Sequence, residues 1–246
     1  MKHKSKNRNI KIFEAINSND LDKVKKLLPK VDKYLMLDNI YNLMCYALLA
    51  RTTEIFDYLA TEMDIDHEYP NGNTVLSQII IHISMRKDGI LRALHLTKNI
   101  NYAGFGGSTI LHRIVNTIHI NNFSPMIEDY KERLSILLEN GADPYIKNKQ
   151  NVSPIDISLM YLNSMETLKI LLNNKINKPI EIEIFNSALC KNYVDKFDMI
   201  ELFIYHVADI NELCENNHSV LWNAKNSIPD ETDIIELLEE SGAISI

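Results

Sequence analysis

The chain is 246 residues long, 46% apolar and 24% charged, with a formal charge of −7 and only seven glycines and seven prolines. That balance is an ordinary globular one, and the shortage of Gly and Pro excludes a loop-rich or all-β architecture. The negative charge argues against general nucleic-acid binding, which needs clustered Lys and Arg; the one such cluster lies within the first eleven residues.

In chain order, residues 1–9 come first, a basic leader with Lys2, Lys4, Lys6 and Arg8, and Lys11 just beyond it. No apolar run of 7–15 residues follows, so it is not a secretory signal. We read it as a flexible, solvated segment, the alternative being a nuclear-import or anionic-surface contact. No later stretch approaches the roughly 20 apolar residues of a membrane helix. The expected setting is therefore cytoplasmic, in the producing cell or in a host cell, with reduced thiols.

From Ile10 onward the apolar spacing is helical, and it repeats. An apolar pair ends one segment after another: Leu27-Leu28, Leu59-Ala60, Ala93-Leu94, Leu137-Leu138, Leu171-Leu172, Phe203-Ile204 and Leu237-Leu238. Positions 27, 59, 93, 137, 171, 203 and 237 are separated by 32, 34, 44, 34, 32 and 34 residues. Five of six steps fall within one residue of 33, a regularity that chance does not supply. Before four of the pairs stands a Ser or Thr heading a short apolar run, 18 or 19 residues ahead in Thr74-Val75-Leu76, Ser153-Pro154-Ile155-Asp156 and Ser219-Val220-Leu221-Trp222 and 28 ahead in Thr109-Ile110-Leu111-His112. Such a hydroxyl caps a helix by accepting otherwise orphaned N–H groups. After the pair come turn segments: Met63-Asp64-Ile65-Asp66, Gly141-Ala142-Asp143-Pro144, Ala208-Asp209-Ile210-Asn211 and Gly242-Ala243.

This order of elements resembles the ankyrin repeat, with its Thr-Pro-Leu-His start, Val-x-x-Leu-Leu second helix and Gly-Ala-Asp turn. Leu137-Leu138-Glu139-Asn140-Gly141-Ala142-Asp143 matches almost letter for letter. The resemblance runs from about Ile10 to Ile244 as seven units and implies an all-α solenoid of stacked helix-turn-helix units with hairpin loops. We accordingly expect a single domain over 10–246. Some units are degenerate: the second has Asn42-Leu43-Met44-Cys45 at the helix start, and the sixth has Glu183-Ile184-Phe185-Asn186. The 44-residue step marks an insertion, placed at 116–131 between the two helices of the fourth unit. It carries Ile118, Ile120, Phe123, Met126 and Tyr130, so it is either a partner-contacting loop or a lengthened helix packed on its neighbours.

No catalytic constellation is visible. The three cysteines, Cys45, Cys190 and Cys214, form no Cys-x-x-Cys pair and no disulfide framework; Cys45 reads as a buried helix residue and the other two as partly exposed. The eight histidines lack His-x-x-x-His spacing. His112 stands at the family's His position, where the resemblance implies a hydrogen bond across the repeat. Gly104-Phe105-Gly106-Gly107 has the glycines of a phosphate loop, but no Lys-Ser or Lys-Thr follows, so a tight turn is expected. The sequons at Asn151 and Asn217 coincide with repeat signatures and read as accidental. Neither cofactor, metal nor small-molecule substrate is expected.

The resemblance implies a binding surface along the hairpin tips and first helices. Carried over unit by unit, it takes in Tyr41, Leu49 and Ala50; Tyr69, Asn73, Ile81 and His82; Phe105, Asn116 and Thr117; Lys149, Gln150, Met160 and Tyr161; Lys191; and Glu215, Asn216, His218 and Asn226. Tyr69, Phe105 and Tyr161 lead, because hot spots favour large aromatics. Trp222, the sole tryptophan, replaces the family's His and is expected to be partly buried. The function that follows is inhibition or scaffolding of one protein partner by a chain that is monomeric when free. The host-directed effector is the first form of that role; an immunity protein against a cognate toxin and a homo-oligomeric subunit are the alternatives. No separate enzymatic domain or ligase-recruiting extension is expected.

Overall fold

Helices follow one another in pairs along the chain, and in the middle of the first unit the first helix of a pair is buried nearly all round and the second along a single stripe. The computed structural model describes residues 2–37, 41–69, 72–82, 84–121, 124–161, 165–174, 176 and 178–246, with side chains from residue 8 onward except that of Phe105. The chain divides into two compact units, Met1–Ala142 with Lys147–Asn151, and Asp143–Ile146 with Val152–Ile246.

The first unit contains α1 (Lys2–Asn17), α2 (Leu21–Leu27), α3 (Leu43–Leu49), α4 (Thr53–Glu62), α5 (Val75–Ile81), α6 (Lys87–Leu96), α7 (Ile110–Ile120) and α8 (Ile127–Glu139). Consecutive helices pair, and α1, α3, α5 and α7 stack side by side. Sandwiched in this way, α5 buries every residue from Val75 to Ile80. The second helices bury one stripe at helical spacing instead, as with Ile55, Phe56 and Leu59 on α4. The described sheet is minor: β1 (Met36–Leu37) pairs antiparallel with β2 (Tyr41–Asn42). In the second unit α9 (Pro154–Ser158) pairs with α10 (Met165–Leu172), α11 (Ile182–Leu189) with α12 (Lys196–His206), and α13 (Val220–Ser227) with α14 (Thr232–Glu240). Phe185 of α11 stacks on Phe203 of α12 at 5.6 Å. The fold is thus predominantly helical, built of stacked helix pairs.

The repetition is visible in local hydrogen bonds. Thr74 and Ser77, Ser153 and Asp156, and Thr109 and His112 form capping boxes; Asn42 and Ser219 accept from the N–H groups of Cys45 and Trp222. His112 turns its Nδ1 back to the backbone N–H of Thr109 at 3.0 Å, a bond within its own unit. Repeatedly an Asp or Asn accepts the N–H two residues on, as at Asp32, Asp64, Asn99, Asp143, Asn174 and Asp209, at 2.8–3.2 Å. These Asx turns close the chain between one pair and the next.

Helix α1 starts at Lys2 and is anchored by buried Ile12, Phe13, Ala15 and Ile16. The helices that take in much of 116–131, α7 and α8, are 11 and 13 residues long, in line with the lengthened-helix alternative. One expectation needs revision. Cys214 is buried like Cys45, while Cys190 is exposed.

Candidate functional site

In the first unit, aromatic groups from successive pairs converge on the hairpin side. Tyr46 of α3 meets the buried ring of Phe13 edge-on at 5.1 Å and faces Tyr41 of β2 at 6.2 Å. The Tyr41 ring in turn lies 5.2 Å from His82, the C-cap of α5. Tyr41, Tyr46 and His82 are all half-buried, with Leu49, Ala50 and Ile81 in the same state on the same helix ends. His82 is held in place by its own backbone: its Nδ1 accepts the Ser84 N–H at 3.1 Å and its carbonyl accepts from Arg133 at 2.8 Å. Burial, then the charge of Arg133, pull its pKa below the ordinary value, so the ring is a neutral acceptor at pH 7. Such a cluster offers flat, partly wet rings with a polar edge, suited to an aliphatic or aromatic side chain of a protein. Tyr46 was missing from the sequence-derived set, although its spacing of four from Asn42 marks it as one helical turn beyond the N-cap.

Tyr69 does not belong to the surface. It is 5% exposed, tucked under its hairpin by backbone bonds to Asn73 and Gly72, with its ring edge-on to His67 at 5.2 Å. The Tyr69 ring thereby joins the Tyr34–His67 stack, whose rings lie 3.5 Å apart. Its hydroxyl has no hydrogen-bond partner among the described residues, and burial pushes its pKa up. Asn73 is half-buried and receives a hydrogen bond from Arg113, whose other amino group reaches the Gly72 carbonyl at 2.6 Å. Phe105 lies on a 3-10 turn whose Gly106 and Gly107 have φ of 85° and 77°; its side chain is outside the described residues. Asn116 and Thr117 are half-buried on α7. Lys149 and Gln150 are exposed, the Lys149 N–H bonded to the Gly106 carbonyl at 2.9 Å.

The inserted residues sort differently from a contact loop. Ile118 on α7 and Tyr130 on α8 are buried, Met126 is the half-buried N-cap of α8, Ile120 is 77% exposed, and Phe123 is outside the described residues. Lengthening α8 brings Asp129, Tyr130 and Arg133 against the C-terminal end of α5. Arg133 is 1% exposed; it donates to the carbonyls of Ile80 (2.7 Å), His82 (2.8 Å) and Met85 (2.8 Å) and pairs with Asp129. The Tyr130 hydroxyl adds a bond to the Ile81 carbonyl at 3.4 Å. A helix C-terminus gathers partial negative charge and orphan acceptors, and a guanidinium answers both. The sequence showed the apolar content of the insertion but gave no sign that Arg133, just beyond it, would tie α8 to the end of α5.

The second unit presents a smaller group. His218 stacks on Trp222 at 3.6 Å and 10°, both half-buried, with exposed Asn216 and Asn226 alongside. Asn216 donates to Asn223 at 2.8 Å, and Asn226 to the Trp222 carbonyl at 2.7 Å. Glu215 is exposed, with its N–H given to Glu183. Met160 is 59% exposed beside half-buried Tyr161. Lys191 donates to the Leu159 carbonyl at 3.0 Å. Burial raises the thiols of Cys45 and Cys214 to about 12 and about 11, leaving neither as a nucleophile. Among the described residues no group of three His, Cys, Asp or Glu could hold a metal, and no helix is long and apolar enough to cross a membrane.

No family model matches the chain. Over 144 residues, 54% of its length, it is 26% identical to an ankyrin repeat domain-containing protein of monkeypox virus, and equally to one of cowpox virus (strain Brighton Red). The chain covers 19% of the length of these curated relatives. The comparisons therefore give this chain a distant, partial similarity to viral ankyrin-repeat domain proteins.

Proposed function

We propose that the chain is an ankyrin-repeat solenoid that binds a protein partner through the hairpins and first helices of its repeats, inhibiting or scaffolding it. The observation that carries this reading is the cluster of Tyr41, Tyr46 and His82, three half-buried rings, two from the α3 hairpin and helix and the third from the end of α5. Their own packing uses only part of each ring, and large aromatics held rigidly at a surface are what protein interfaces use as anchors. The His218–Trp222 stack with its exposed amides is the corresponding feature of the second unit. Similarity to proteins of two poxviruses favours a host-directed target over a toxin of the same genome.

The test is capture from host-cell lysate by the intact chain, beside a variant carrying Tyr41→Ser and Tyr46→Ser with an unchanged circular-dichroism spectrum. A specific protein held by the parent and reduced about tenfold or more in the variant is expected, the size of one or two lost hot spots. Equal capture by both baits would remove the aromatic cluster from the interface. Tyr69→Ala is no substitute, because it would perturb folding first.

A further inference from the structure

The second helix of the sixth pair, α12, has an outward face that its packing does not explain. Lys196, Met199, Ile200 and Phe203 bury its inner face. The helix is flanked by α10 and α14 and backed by α11. Phe197, Glu201 and Tyr205 follow at intervals of four and so form one row, with Asp198 beside it. Phe197 is 39% and Tyr205 83% exposed. Two aromatic rings in water on one helical row cost hydration free energy that the stack does not recover.

Charge says what would cover them. The second unit contains seventeen Asp and Glu against six Lys and no Arg, an excess of eleven negative charges, whereas the first unit has an excess of four positive. Asp198 and Glu201 are exposed, and α14 adds exposed Asp233 and Glu236. Lys196, next to the row, is buried and committed to Glu231 at 2.7 Å. Exposed Lys169 on α10 is the one basic residue that this neighbouring helix contributes, one turn from Glu166.

We propose that this face of α12 docks an Arg- or Lys-bearing segment of a protein partner. The cations meet Asp198 and Glu201, and their alkyl stems or guanidinium planes lie over Phe197 and Tyr205. The surface lies on a second helix, away from the hairpins, so it stands independently of the hairpin-side reading.

The probe is a short fluorescein-labelled peptide of alternating arginine and leucine, titrated with the full chain at low ionic strength and followed by anisotropy. The same peptide with glutamate for arginine is the control. Saturable binding of the arginine peptide alone is expected, weakened about tenfold by Asp198→Lys with Glu201→Lys, and about fivefold by Phe197→Ser with Tyr205→Ser. Both double variants change exposed positions, and the unfolding midpoint read from Trp222 verifies that they remain folded. Absence of binding overturns the proposal. So does an effect of charge reversal without an effect of the aromatic pair, which means diffuse attraction to an acidic surface. A dimer of the chain itself in sedimentation, dissociated by the charge reversal, makes a second copy the occupant and equally overturns it. None of these outcomes depends on capture through Tyr41 and Tyr46.

Discussion

His119 shows how a residue's environment, rather than its type, sets its behaviour. It sits near the C-terminal end of α7, 8% exposed, and burial pushes its pKa down to about 4. The folded state thus binds its proton more weakly than the unfolded chain, whose value is 6.5. Its contribution to stability is complete above about pH 6.5 and is lost progressively as pH falls toward about 4. Urea midpoints measured across that window should decline with falling pH, and His119→Asn should flatten the decline. His82 and His206 are shifted in the same direction by burial, so part of the slope should survive the substitution. An unchanged slope in the variant would show that His119 is not the titrating group. Single residues were the least legible level of the sequence: Tyr69 and Tyr41 each lie beside a hairpin, yet one is buried and the other half-exposed.

At the level of elements, periodicity was a dependable guide wherever burial follows a stripe. The apolar pairs lie in or at the end of second helices, and the Ser and Thr signatures at capped N-termini; Asn42 caps the degenerate second unit, whereas the sixth, with Glu181 at its N-cap, has no side-chain cap. The insertion was harder, because its apolar residues fit a loop that touches a partner as well as a helix that packs. The packing of α8 is anchored at the C-terminal end of α5, where the last carbonyls of a helix lack intrahelical donors. Arg133 meets three carbonyls in that region with one guanidinium. Arg133→Met keeps much of the volume but leaves those acceptors and Asp129 without their cation. It should cost about 3–5 kcal/mol in urea unfolding, as expected for removing one member of a buried charged network. A loss under about 1 kcal/mol would mean that the carbonyls find other donors. Asp129→Asn should cost less, since the three carbonyl bonds remain.

For the molecule as a whole, the net charge of −7 conceals two opposite contributions, an excess of eleven negative charges in the second unit and of four positive in the first. Asp198 and Glu201, Asp233 and Glu236, and Glu236 and Glu240 are like-charge pairs three or four residues apart on helices. Each such pair destabilises by roughly 0.2–0.5 kcal/mol at low salt. Screening should relieve that repulsion: raising NaCl to about 0.5 M should stabilise the second unit by roughly 1 kcal/mol. Trp222, the sole tryptophan, lies in this unit and reports its unfolding by fluorescence. A midpoint that falls with salt would mean that attractive pairs such as Lys196–Glu231 and Lys225–Glu239 outweigh the repulsion. By itself the sequence determined the helical class and the caps at Asn42, Thr74, Thr109, Ser153 and Ser219, because these follow from local spacing and from short-range hydrogen bonds. Which aromatics face water, what the insertion does and where charge accumulates were decided by tertiary structure, because each depends on a neighbouring helix about 33 residues away in the chain.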